Sequence, residues 1–72
     1  MRARLDPKII LGLAIKEERI RQGLSQKQLA SMIGTSKAHI WRIENGKVAT
    51  TIGRLAQIAE ALEVKVSALI RF

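Results

Sequence analysis

The chain of 72 residues has no cysteine and a single histidine. Without thiols there is no disulfide and no thiolate metal centre, and one imidazole cannot build a structural zinc site. No metal and no cofactor are therefore expected. Long hydrophobic runs are missing too. The longest apolar stretch, Ile9 to Ile15, is far short of the ~20 residues that cross a bilayer. The start lacks a signal-peptide cleavage pattern. A cytoplasmic location is expected, with no membrane partner. Nor is there a carboxylate pair, a Ser/His/Asp set or a glycine-rich phosphate loop, so the chain is not expected to be an enzyme.

Acidic residues are scarce: six against thirteen Lys and Arg, a net charge of +7. The excess is uneven, with +3 on residues 1–24, +3 on 25–47 and +1 on 48–72. A basic surface favours a polyanion, nucleic acid first and an anionic membrane second. The other reading is a solvated basic surface with no partner. Hydrophobic residues make up 47%, which indicates a packed core and not disorder. The length suits one small domain, residues 1–72. Such a domain buries only about 60% of its unfolded surface, which favours a dimer.

The pass along the chain finds helices throughout. Asp6-Pro7 is a start signal, with Asp as N-cap and Pro at the first helical position. That helix runs to about Gln22 and ends at Gly23. Leu11 and Ile15 sit one turn apart, and Arg19 continues their face. The run Lys8 to Ile15 also has the local propensity of a strand. Ser25-Gln26-Lys27-Gln28 fits a capping box for a second helix, with Leu29, Ala30 and Ile33 as its buried stripe. Ser36 caps a third helix, to about Glu44, which Asn45-Gly46 stops. Thr50 or Thr51 caps a fourth, carrying Ile52, Leu55, Ile58, Ala59 and Leu62. Ser67 then caps a last short turn through Leu69 and Ile70. The expected fold is all-α, with five helices.

The densest information lies between Gln26 and Asn45. Two short amphipathic helices are joined by a turn at Gly34, where a positive φ is cheap only for glycine. Ala30 must be small because the third helix crosses close to the second. Ile40 and Ile43 point inward. Lys37, Ala38, Trp41 and Arg42 fall on the outward face. Such an arrangement presents a helix to a DNA groove.

These features, with LGLAIKEERIRQGLSQ, LASMIGTSKAHIWRIENGK and TTIGRLAQIAEALEVKVSALI around them, resemble the phage repressor and Cro family of helix-turn-helix proteins, the XRE family. The likeness runs from about Leu11 to Ile70. It implies a compact five-helix, lambda-repressor-like DNA-binding domain from a bacterium or phage, associated with the nucleoid. By position it implies base-reading roles for Ser36, Lys37, Ala38 and Arg42 in the major groove. Arg42 could bind guanine O6 and N7 together, and Ala38 could offer its methyl to a thymine methyl. The matching glutamine, Gln26, would contact the DNA backbone from the start of the second helix, where free N–H groups favour an anion. Asn45, Lys47 and Thr51 would meet neighbouring phosphates, Thr51 having plain helix capping as its other reading. Where the family often has Asn-Pro before the fourth helix, this chain has Ala49-Thr50. Arg19 and Glu44 would form a partly buried structural ion pair.

Two side chains have several readings. His39 borders the core or contacts a phosphate. Trp41, the only tryptophan, replaces the small or polar residue common at that place. It packs on the first helix or a partner subunit, contacts the sugar-phosphate edge, or is a plain exposed aromatic. The functional expectation is a sequence-specific transcriptional regulator, a repressor of the Cro/C1 type, binding a near-palindromic operator as a homodimer. The dimer would use either the C-terminal end (Val66, Leu69, Ile70, Phe72) or the apolar first helix, where Ile9, Ile10, Leu13 and Ile20 lie outside the Leu11–Ile15–Arg19 face. The rival is an antitoxin or other interaction module of a toxin–antitoxin or restriction-modification system, with a toxin partner and with DNA binding as autoregulation. A third reading, RNA or membrane binding by charge alone, predicts no preference for a specific duplex.

Overall fold

Each helix begins where a side chain satisfies free backbone N–H groups. In the computed structural model, which describes residues 5–72, Asp6 accepts from the Lys8 N–H at 2.8 Å and opens α1, Pro7–Arg21. That backbone bond, then the Lys8 ammonium, holds the Asp6 carboxyl below its ordinary pKa. Ser25 and Gln28 form the reciprocal capping box of α2, Gln26–Met32. Ser36 caps α3, Lys37–Glu44, by accepting from the His39 N–H at 3.1 Å. Thr51, and not Thr50, caps α4, Ile52–Ala61, by accepting from the Arg54 N–H at 3.1 Å. The stretch from Lys8 to Ile15 is helical. Its β-branched residues are overridden by the cap and by burial of Ala14 and Ile15.

All regular structure among the described residues is helical, as the composition and periodicity imply. The helix count needs one refinement. Four α-helices are followed by a 3-10 turn, Val66–Ala68, in place of a fifth helix. Its bonds run three residues back, from the Ala68 N–H to Lys65 O and from the Leu69 N–H to Val66 O. Three residues cannot sustain an α-helical ladder. Ser67 lies inside this turn and does not cap it; Lys65 precedes it with no side-chain cap bond.

One core joins all the elements. Ala14 and Ile15 of α1 meet Leu29, Ala30 and Ile33, Ile40 and Ile43, Leu55, Ile58, Ala59 and Leu62, and Leu69. Leu69 is fully buried, so it belongs to the core and not to a C-terminal docking surface. Ile70 and Phe72 beside it are exposed. Gly34 takes φ +68° in the turn between α2 and α3, the left-handed region that favours glycine. Gly12 answers a different demand. A Cβ there would stand 2.6 Å from the Glu44 carbonyl oxygen and closer still to that of Ile43. The backbone of α1 therefore lies directly against the last turn of α3.

Gly53, in the first turn of α4, has open space where a Cβ would go. Gly53→Ala is expected to stabilise the fold by roughly 0.4–1 kcal/mol through the unfolded chain. A denaturant midpoint equal to or below that of the parent would contradict this.

Candidate nucleic-acid interface

The helix pair α2–α3 sorts its side chains by face. Ile40, Ile43 and Glu44 of α3 are buried, while Lys37, Ala38, Trp41 and Arg42 are exposed. The 3.6-residue period forces this division once Ile40 and Ile43 enter the core. Ser36, Asn45 and Lys47 at the two ends of α3 are exposed as well, and His39 is half-buried.

A buried polar cluster fixes α3 against α1. Arg19 Nε donates to Glu44 Oε2 at 2.6 Å and Arg19 Nη2 to Glu44 Oε1 at 3.1 Å. The Glu44 side chain is fully buried and that of Arg19 is 10% exposed. Arg19 Nη1 reaches the Leu24 carbonyl at 2.7 Å, and Gln26 Nε2 donates to Glu44 Oε1 at 3.0 Å. One carboxylate thus receives three donors from two other segments, an arrangement in which a buried charge is tolerable. Arg19 and Gly12 are seven residues apart on α1, about two helical turns. Together they clamp the end of α3 to one side of α1.

Half-buried Gln26 and the exposed Lys37, Ala38, Trp41, Arg42 and Lys47 line an open depression of about 550 Å³. Its interior surface is mainly apolar. Trp41 is 47% exposed on this side of α3. Five of the residues expected to meet DNA are thus brought together with Trp41. Three of the others, Ser36, Asn45 and Thr51, make local structural bonds. Ser36 and Thr51 cap helices through their hydroxyls. Asn45 Nδ2 donates to the Trp41 carbonyl at 2.9 Å, closing the C-terminus of α3. Gln26, expected to hold a phosphate, has its amide N–H committed to Glu44. Its position at the start of α2 leaves backbone N–H groups facing outward from that helix end.

Several structural residues were not legible beforehand. Gly12 carries the α1–α3 contact; a glycine inside a helical pattern often has such a packing reason. Arg54 Nη1 donates to the Ile33 carbonyl at 2.8 Å, satisfying the end of α2 from α4. Glu18 is buried and pairs with Arg21 at 3.2 Å and Arg71 at 3.5 Å, while Arg71 also holds Glu17 at 3.0 Å. This ties the C-terminal residues to α1.

A two-helix unit with one helix clamped from behind and bearing cations on its open face defines a helix-turn-helix module, the class of DNA-binding transcriptional regulators. The helix-turn-helix family model HTH_3 matches residues 15–69, and the chain belongs to this family. Among solved structures, the restriction-modification controller protein C.AhdI from Aeromonas hydrophila is similar with a TM-score of 0.83. It is 26% identical, over 86% of this chain and 90% of that one. An HTH_3 family transcriptional regulator from Vibrio cholerae is 36% identical with a TM-score of 0.81, over 88% of this chain but only 35% of that one. The clp gene regulator ClgR from C. glutamicum shares the fold, with a TM-score of 0.88 at 23% identity over 92% of this chain and 86% of that one. No helix among the described residues is long and apolar enough to cross a membrane.

Proposed function

We propose that the chain recognises a specific double-stranded DNA site as a homodimer and regulates transcription from it in the cytoplasm, acting by binding and not by catalysis. The observation that carries this is the open face of α3. Lys37, Ala38, Trp41 and Arg42 are exposed together on a helix whose other face is locked by Ile40, Ile43 and Glu44. Two copies would set α3 into successive major grooves, with half-sites about 34 Å apart. Arg42 and Lys37 are the base readers in this account, with Ala38 beside them. Lys47, and the start of α2 at Gln26, position the phosphates.

Selection of duplexes from a random pool at fixed salt tests the reading directly. A near-palindromic consensus is expected; recovery of unrelated sequences would overturn it. On the selected site, Arg42→Ala should reduce discrimination against a changed guanine roughly 5- to 150-fold, the worth of a bidentate contact. Lys47→Ala should weaken selected and random DNA alike and lower the salt slope by about one. Equal losses on both DNAs for Arg42→Ala would remove it from the base-reading set.

A protein partner is favoured by the exposed apolar residues of α1, Leu13 and Ile20, and by Ile70 and Phe72. We assign one of these two regions, the first helix or the C-terminal end, to contact with a second copy of the chain. Sedimentation of the purified protein as a monomer at high concentration would remove that assignment, and a stable complex with a second, toxin-like chain would favour the antitoxin reading.

A further inference from the structure

The least explained feature of the α3 face is an indole set among the cations Lys37, Arg42 and Lys47. Trp41 remains 47% exposed although the core beneath α3 is filled by Ile40 and Ile43. It lines the mainly apolar depression together with Ala38, Gln26 and the three cations Lys37, Arg42 and Lys47. A mainly apolar depression with three cations in its lining fits a partner that combines negative charge with an apolar group. Duplex DNA offers that combination in the major groove, where phosphates flank the C5-methyl of thymine, an apolar group on a base edge. The neighbouring cations supply the charge complementarity, and the depression has room for a methyl group and the pyrimidine edge that carries it.

We propose that Trp41 is a specificity-determining residue which, with Ala38, forms a pocket for the C5-methyl group of a pyrimidine in each half-site. This rests on the DNA-binding reading of the α3 face and sharpens it. Arg42 and Lys37 read hydrogen-bonding edges or phosphates, whereas Trp41 reads a methyl group. The pocket takes the same methyl on 5-methylcytosine, so methylating a cytosine placed at that position improves binding.

The test uses the selected duplex and the complete chain. Each thymine is replaced singly by deoxyuridine, which removes only the methyl, and binding is titrated at constant salt. Trp41 is the only tryptophan and there is no tyrosine, so its intrinsic fluorescence reports the site itself. The expected result is a loss of about four-fold at one thymine per half-site, the worth of burying one methyl. That loss is accompanied by an altered fluorescence change on binding. Trp41→Ala should bind thymine and deoxyuridine duplexes equally. Uniform tolerance of deoxyuridine by a wild-type protein that still binds its site would overturn the methyl pocket and leave the DNA-binding reading standing. A methyl effect that survives Trp41→Ala would also overturn it, by placing the pocket elsewhere. A wild-type protein that prefers no duplex would defeat both. If Trp41 instead faces a protein, its fluorescence changes on self-association and not on adding DNA, which again overturns the proposal. The deoxyuridine scan on the wild-type chain needs no variant to fold.

Discussion

Arg19→Ala is expected to lower the melting temperature by roughly 15–30 °C. The side chain of Glu44 is fully buried and its oxygens accept from Arg19 Nε, Arg19 Nη2 and Gln26 Nε2. Truncating Arg19 removes two of those three donors and also the bond to the Leu24 carbonyl. A carboxylate left buried with one neutral donor costs about 3–5 kcal/mol. Domains of this size lose about 4–8 °C per kcal/mol. Their whole stability is only about 4–11 kcal/mol on the usual per-residue scale, so the variant would be partly unfolded near body temperature. The pair itself is a separate matter. Replacing both partners by apolar residues, as in Arg19→Met with Glu44→Leu, should recover most of the loss, because no charge is then stranded. Thermal unfolding followed by circular dichroism distinguishes the cases. An Arg19→Ala melting curve that overlays the parent would show that the cluster does not hold α3. Poor recovery in the double variant would show that the hydrogen bonds from Gln26 and to Leu24 matter more than the stranded charge.

The same cluster shows what a sequence can and cannot disclose. Asp6-Pro7, the Ser25/Gln28 box, Ser36 and a threonine cap at 50 or 51 were readable because a cap is a local code, a side chain bonding an N–H two or three residues on. The inward stripes Leu29–Ala30–Ile33 and Ile40–Ile43 were readable for a similar reason, since helical periodicity is set over a single turn. Contacts between helices have no such signature. Nothing adjacent to Gln26 indicates that its amide turns back to Glu44, eighteen residues on. Nothing near Arg54 reveals that it closes the end of α2 at Ile33. Nothing beside Glu18 in the sequence indicates that it is buried and paired with Arg71 from the far end of the chain. Leu69 and Ile70 are equally apolar neighbours, and only the path of the 3-10 turn sends one into the core and the other outward. Faces of helices were therefore legible, and so was the cluster of exposed residues on α3. The depression around Trp41 was not, because its other walls, Gln26 and Lys47, come from outside that helix.

Gly12→Ala is the second change expected to have a large effect, and its direction opposes simple propensity. Alanine in a helix interior is favoured over glycine by about 1 kcal/mol, so an isolated α1 would gain. In the folded chain the added Cβ would meet the carbonyl oxygens of Ile43 and Glu44, with 2.6 Å to Glu44 and less to Ile43. These are backbone atoms at the end of α3, and they cannot rotate away as a flexible side chain would. Relief requires α1 and α3 to separate, which strains the Arg19–Glu44 pair two turns further along the same face. Overpacking of this kind costs about 1–3 kcal/mol and occasionally more. Backbone on both sides places Gly12 at the upper end, so a net loss of roughly 2 kcal/mol, or about 10 °C, is expected after the propensity gain. Gly53→Ala provides the internal comparison, because it adds the same methyl in open space. Opposite signs for the two substitutions, read as denaturant midpoints under one set of conditions, would establish that α1 and α3 are in backbone contact. A Gly12→Ala variant as stable as Gly53→Ala would mean that the helices adjust freely. The orientation of α3, and with it the placement of Lys37, Trp41 and Arg42, would then not be fixed by α1.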